Sequence, residues 1–228
     1  SEETSYALKY VDDRLLTMPP VALMQVKKEM NYMFCLVEEN IKLSLEAMKT
    51  ENLTTGDIVA ANESIIDFTN GALTQFLIRL SPNVDESDEL VIGSYFHVLN
   101  DLERIGDHAE NFYEIGVEMS NKNISFSDLA LADINNMRDA VIMMFDISKD
   151  AFENSHKERL ASLTELEQNV DNMKKDLIAN HFNRLAEGNC SIDVSPYYSS
   201  VVVGLERVAD HLVNVGYSIV NPTGSQKD

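Results

Sequence analysis

Two ten-residue segments of this chain, Leu102-Glu103-Arg104-Ile105-Gly106-Asp107-His108-Ala109-Glu110-Asn111 and Leu205-Glu206-Arg207-Val208-Ala209-Asp210-His211-Leu212-Val213-Asn214, are variants of one pattern. Six of the ten positions are identical, and the exchanges of Ile for Val and Gly for Ala are conservative. The shared form is Glu-Arg-[Ile/Val]-[Gly/Ala]-Asp-His-x-x-Asn, and the copies are offset by 103 residues, as Glu103 is from Glu206. A second matched pair lies upstream, where Glu63-x-x-x-Asp67 and Glu167-x-x-x-Asp171 precede their partner segments by 40 and 39 residues. Self-similarity over that distance restricts the fold to one structural unit used twice.

The period of the apolar residues says what the unit is made of. Val26, Met30, Met33, Phe34, Val37, Ile41 and Leu45 recur at spacings of three and four, which predicts one amphipathic helix from about residue 20 to 49. Pro19-Pro20 opens it. Thr54 or Thr55 can cap a second helix, which carries Ile58, Ile65, Ile66, Leu73, Leu77 and Leu80 and stops at Ser81-Pro82-Asn83. A third spans about 87–119. The pattern then restarts: Ser125 or Ser127 caps a fourth helix through Met137, Val141, Met144 and Phe152, a fifth runs from about 156 to 186, and Ser195-Pro196 opens a sixth that ends before Asn221-Pro222. Nine Gly, five Pro and no Trp in 228 residues suit such a composition. The expected fold is all-α, two tandem three-helix bundles related by internal duplication. Residues 1–18 form an arm, 19–122 the first repeat, 123–221 the second and 222–228 a tail.

Charge excludes several functions. Thirty-eight Asp and Glu against 18 Lys and Arg give a net charge of −20, which disfavours nucleic acid and acidic membrane surfaces as partners. No uncharged apolar run approaches the roughly 18 residues of a membrane span, and no signal peptide is evident, so a cytoplasmic location is expected. Cys35 and Cys190 form neither a CxxC pair nor a Cys/His spacing, and no cysteine nucleophile with a paired histidine is apparent. With no Walker loop and no GxSxG, the chain is not expected to be an enzyme.

The acids themselves carry chemistry. At about 100° per residue, Glu103, Asp107 and Asn111 fall on one side of their helix, as do Glu206, Asp210 and Asn214. The apolar set centred on Leu102 and Ile105 lies elsewhere, so the acids belong on the bundle's flank. Like charges at i,i+4 cost a helix about 0.2–0.5 kcal/mol per pair, a repulsion that a cation would relieve. In an antiparallel hairpin Glu63 and Asp67 can face Glu103 and Asp107, and Glu167 and Asp171 can face Glu206 and Asp210. Such all-oxygen sites suit iron, Mn²⁺, Mg²⁺ or Ca²⁺. Glu110 and Glu114 extend the first acidic side, whereas Val213 and Tyr217 stand at the matching places, so the two sites are not equal. Arg104 and Arg207 are read as ion-pair partners, His108 and His211 as interhelical hydrogen bonders, and Gly106 and Ala209 as points of close helix approach. Met30, Met33, Met143 and Met144 are read as core residues. Glu153-x-x-His156 is the lone ExxH, too few for a ferritin-like di-iron oxidase.

Together the two repeated segments, the four ExxxD pairs and the three-plus-three helices resemble the PhoU family over about residues 19–220. The arm from Tyr10 to Pro19 further resembles the junction that follows the membrane portion of bacterial sodium/phosphate symporters with a C-terminal PhoU-like domain. The resemblance implies a regulatory, metal-binding domain in phosphate transport and homeostasis, with Glu63, Asp67, Glu103, Asp107, Glu167, Asp171, Glu206 and Asp210 as ligands and inorganic phosphate reached through the metal. On the symporter reading the partner is a membrane phosphate transporter attached upstream, at the cytosolic face of the inner membrane. The alternative is a free-standing regulator of an ABC-type phosphate transporter and its sensor kinase. A homodimer is compatible with either.

Overall fold

The computed structural model describes residues 5–50 and 53–222; residues 1–4 and the tail beyond Pro222 lie outside it. Six long helices form: α1 (Pro19–Thr50), α2 (Gly56–Leu80), α3 (Glu86–Asn121), α4 (Asp128–Asn154), α5 (Leu160–Ala186) and α6 (Ser195–Tyr217). The first, second, fourth and sixth start close to where their start signals stand. The Asp85 carboxylate accepts the Asp88 N–H at 2.8 Å ahead of α3, and Ser127 Oγ accepts the Ala130 N–H at 3.2 Å ahead of α4. Thr55 occupies the cap position of α2 without a side-chain capping bond.

The fifth helix begins later than its periodicity suggests. Ser155 takes a left-handed backbone conformation (φ 56°) and a 3₁₀ turn spans Lys157–Arg159. Asp150 fixes this corner, with Asn154 Nδ2 and His156 Nδ1 each 2.8 Å and Arg159 Nη1 3.1 Å from its carboxylate. His156 is therefore committed to a surface corner, and Glu153-x-x-His156 brings no second motif into a bundle core.

Within the first repeat α1 packs on α2 and α3, and α2 on α3; within the second, α4 packs on α5 and α6, and α5 on α6. Contacts α3–α6 and α1–α4 join the two bundles into one continuous apolar core. Phe34 of α1 meets Phe145 of α4 edge to face at 5.9 Å, both fully buried. All seven apolar positions predicted for α1 are buried, as are Met137, Val141, Met144 and Phe152 of α4. Two readings need correction. Ile58 and Met143 are 47% and 56% exposed, because Ile58 stands in the first turn of α2 and Met143 is rotated about 100° from the buried Met144.

The arm is not detached. Val11 joins the core, a 3₁₀ turn spans Asp13–Thr17, and the buried Glu29 carboxylate of α1 accepts the N–H of Lys9 at 2.9 Å and of Tyr10 at 2.7 Å. A buried carboxylate with two backbone donors is stably accommodated, and here it ties the arm to the bundle. No described helix is long and apolar enough to cross a membrane.

Candidate metal centre

Acids of α2 and α3 meet in the first bundle. Ligand atoms of Glu63, Asp107 and Glu110 lie within 4.8 Å of one another, with Asp67 one turn along α2 from Glu63. Glu63 is buried rather than on the open flank, and its Oε2 has no hydrogen-bond partner among the described residues. The oxygen lies over Gly106: a Cβ built on that residue would stand 3.2 Å from it. Desolvation, then the charges of Asp67, Glu110 and Asp107, push the Glu63 carboxyl up to about 8. Asp107 and Glu110 are also raised, chiefly by burial.

Glu103 is not within that three-residue group; Glu110 stands there instead. Both lie on α3, and Glu110 reaches the site because it follows Asp107 by three residues, one helical turn. Its place in the acidic run was visible in the sequence, but which end of the run α2 would meet depends on how the two helices cross.

In the second bundle three of the four expected acids come together. Ligand atoms of Asp171, Glu206 and Asp210 lie within 4.8 Å of one another, and Glu167 is close enough that Asp210, Asp171 and Glu206, after desolvation, push its carboxyl up to about 7. Asp210 is likewise raised by burial and by Glu206 and Asp171. This cluster contains its own cation, because Lys174 Nζ of α5 lies 3.3 Å from Glu206 Oε2. The lysine follows Glu167 by two helical turns and so shares its side of α5, a spacing present in the sequence. Beyond it the side closes with an apolar Val213 and with Tyr217, whose hydroxyl meets Thr164 and the Leu160 carbonyl. In the first cluster Arg104 lies 3.9 Å from Asp107 on its own helix.

The donor sets fit a hard cation. Both consist of carboxylates, neither includes a thiolate or imidazole within reach, and the buried orphan oxygen of Glu63 is the kind of group that a cation satisfies.

The basic residues of the two motifs behave differently from one another. His211 acts as expected, its Nδ1 lying 2.8 Å from Asp101 Oδ1 across the α3–α6 contact, where Asn214 Nδ2 also donates to Asp101 at 3.3 Å. Among the described residues His108 has no such partner. It stacks on Phe112 and faces His211 at 6.1 Å between ring centres, and burial, then His211, Arg207 and Arg104, lower it to about 4. Arg207 makes no ion pair among the described residues, contrary to its expected role. Elsewhere, Cys190 Sγ lies 3.8 Å from His181 Nδ1, a Cys/His contact that the spacing alone did not suggest. That histidine is held by a stack on Tyr198 at 4.6 Å and by Ser195 Oγ at 2.8 Å, beside the buried Arg184–Asp133 pair at 2.9 Å. These contacts fasten the end of α5 to α4 and α6.

Comparison with known proteins follows the same division into repeats. A family model described as "PhoU domain" matches residues 30–116 and again 134–219. The phosphate-specific transport system accessory protein PhoU homolog 1 of Thermotoga maritima is 26% identical over 199 residues, covering 86% of this chain and 84% of that protein. A PhoU homolog of the same description from Clostridium acetobutylicum is 25% identical over 211 residues, covering 90% and 94%. Among solved structures, the phosphate transport system regulatory protein PhoU of Streptococcus pneumoniae superposes with a TM-score of 0.80 at 19% identity over 92% of this chain and 99% of that one. PhoU of Pseudomonas aeruginosa gives 0.79 at 20% identity over 87% and 97%. These two likenesses establish the fold, two three-helix bundles. With both repeats matched by the family model across most of its length, the chain belongs to the PhoU family.

Proposed function

We propose that this protein is a PhoU-type accessory regulator of phosphate transport that binds a metal cation at each acid cluster. The observation that carries the metal part is the buried, unpartnered Glu63 Oε2 set among Asp67, Asp107 and Glu110. Glu63, Asp67, Asp107 and Glu110 would hold the first ion, with Glu103 flanking it; Glu167, Asp171, Glu206 and Asp210 would hold the second. Iron, Mn²⁺, Mg²⁺ or Ca²⁺ matches the oxygen donors. A bound cation inverts the local charge and so gives inorganic phosphate a place on an otherwise repellent surface.

The transport part rests on the relatives, which are described as accessory proteins of phosphate-specific transport systems. They favour a separate accessory protein over the symporter domain expected from residues 10–19. The partner is then a membrane phosphate transporter met non-covalently, at its cytosolic side.

Metal analysis of the purified protein, with thermal melting on adding Mn²⁺ or Fe³⁺, tests the first part. Near-stoichiometric metal and a raised melting temperature are expected, and Glu63→Ala with Asp107→Ala should remove the first site alone. No bound metal and no change in melting would overturn it. For the second part, labelled-phosphate uptake in cells lacking the gene should change and be restored by the wild-type chain; unchanged uptake would refute it.

A further inference from the structure

Where α3 and α6 pack, each helix presents a motif histidine to a small depression bordered by the other. The two depressions are mates under the internal repeat. One, about 300 Å³, is bordered by His97, Asn100, Asp101, His211 and Asn214. The other, about 270 Å³, is bordered by Ser200, Val203, Gly204, His108 and Asn111, the same positions shifted by the repeat, with Ser199 and Arg207 added.

The mates differ at one decisive position. In the first depression Asp101 supplies a carboxylate 2.8 Å from His211 Nδ1. Its counterpart in the second is Gly204, and a Cβ built there would lie 3.8 Å from His108 Nδ1, the same ring nitrogen. Packing requires the glycine, since that Cβ would also stand 2.6 Å from the ring of the buried Phe112. Its consequence is chemical. Among the described residues His108 has no carboxylate partner, and the polar groups lining its depression can all donate: the Arg207 guanidinium, the Ser199 and Ser200 hydroxyls and the Asn111 amide. Arg207 is exposed and makes no ion pair among the described residues, so its planar fork of N–H groups is free to face an incoming anion.

We propose that the depression at His108 and Arg207 binds a small oxyanion, a carboxylate or phosphate group held beside His108, which lacks the carboxylate that Asp101 gives His211. Arg207 provides the charge, His108 a directed hydrogen bond, and the serines and Asn111 the remaining donors. No acid of either metal cluster belongs to this set, so the inference stands independently of the metal reading.

The experiment is an amide NMR titration of the full chain, held metal-free with a chelator, with inorganic phosphate and, separately, with acetate, each against sodium chloride at equal ionic strength. Saturable shifts of one site, centred on His108, Ser199, Ser200 and Gly204, are expected, and Arg207→Gln should weaken binding at least about tenfold. Arg207 is exposed, so this variant keeps the core intact. Saturation by phosphate alone assigns a tetrahedral ligand, and by acetate as well, a carboxylate-tolerant one. Shifts no larger than those with chloride, or an unchanged affinity in Arg207→Gln, would overturn the proposal. Because metal is absent throughout, failure here leaves the metal clusters untouched, and failure of metal binding leaves this site untouched.

Discussion

Glu63 enters the fold as a buried carboxyl group surrounded by acids, and its protonation should be felt in stability. Its carboxyl rises from an ordinary 4.5 to about 8 in the folded, metal-free protein. Between these values the folded state holds a proton that the unfolded state has lost, so stability falls as pH rises from 4.5 to about 8 and then levels. Glu167, raised to about 7, contributes the same trend over a narrower window. Glu63→Gln should therefore gain stability relative to the wild type progressively across that interval, which denaturant unfolding at several pH values would measure. In saturating Mn²⁺ the order should reverse, since the variant loses a ligand. Lys174 gives the second test at this scale. Its ammonium competes with any cation for Glu206, so Lys174→Gln should tighten metal binding at the second cluster several-fold, read by calorimetry, and leave the first cluster unchanged. The identities of these acids were legible in the sequence. The replacement of Glu103 by Glu110 was not, because two positions on one helix differ in reach only once the neighbouring helix has a crossing angle.

Among the elements, helix order and approximate length follow from local chemistry: proline at the start of α1, Ser127 as the side-chain cap of α4, and a three-and-four apolar spacing that survives any detail of packing, whereas the Asp85 cap of α3 was not anticipated and Thr55 makes no capping bond. The start of α5 did not follow, because Asp150 gathers Asn154 at the end of its own helix with His156 and Arg159 beyond it, and holds the chain in a corner that no periodicity records. The glycines show the same division. A Cβ added at Gly71 or Gly93 would meet nothing within 4 Å, whereas at Gly204 that atom would press into Phe112. Gly71→Ala and Gly93→Ala should each stabilise by about 0.5–1 kcal/mol through helix propensity. Gly204→Ala should instead destabilise by about 1–3 kcal/mol, since the ring is fully buried and must shift. Thermal melting of the three variants separates the cases, although the three glycines look alike in sequence.

For the whole molecule, the two bundles share one core through α1–α4 and α3–α6, so calorimetry should record a single unfolding transition rather than one for each repeat. Asp101 is a pin in that junction, holding His211 and Asn214 of the other repeat. Asp101→Ala should cost about 1–3 kcal/mol, with melting still in one step, because His211 and Asn214 lose their acceptor while the apolar junction persists. The all-α class, the duplication and the acidic character of the candidate clusters are legible in the chain alone, because helical period and repeated spacing are properties of one chain segment at a time. Helix packing sets which acids converge, that Glu63 is buried, that Lys174 pairs with an acid of the second cluster, and that His211 meets a carboxylate while His108 meets none among the described residues. Each of these depends on the angle and register at which two helices cross, and those are set by the packing of side chains far apart in sequence.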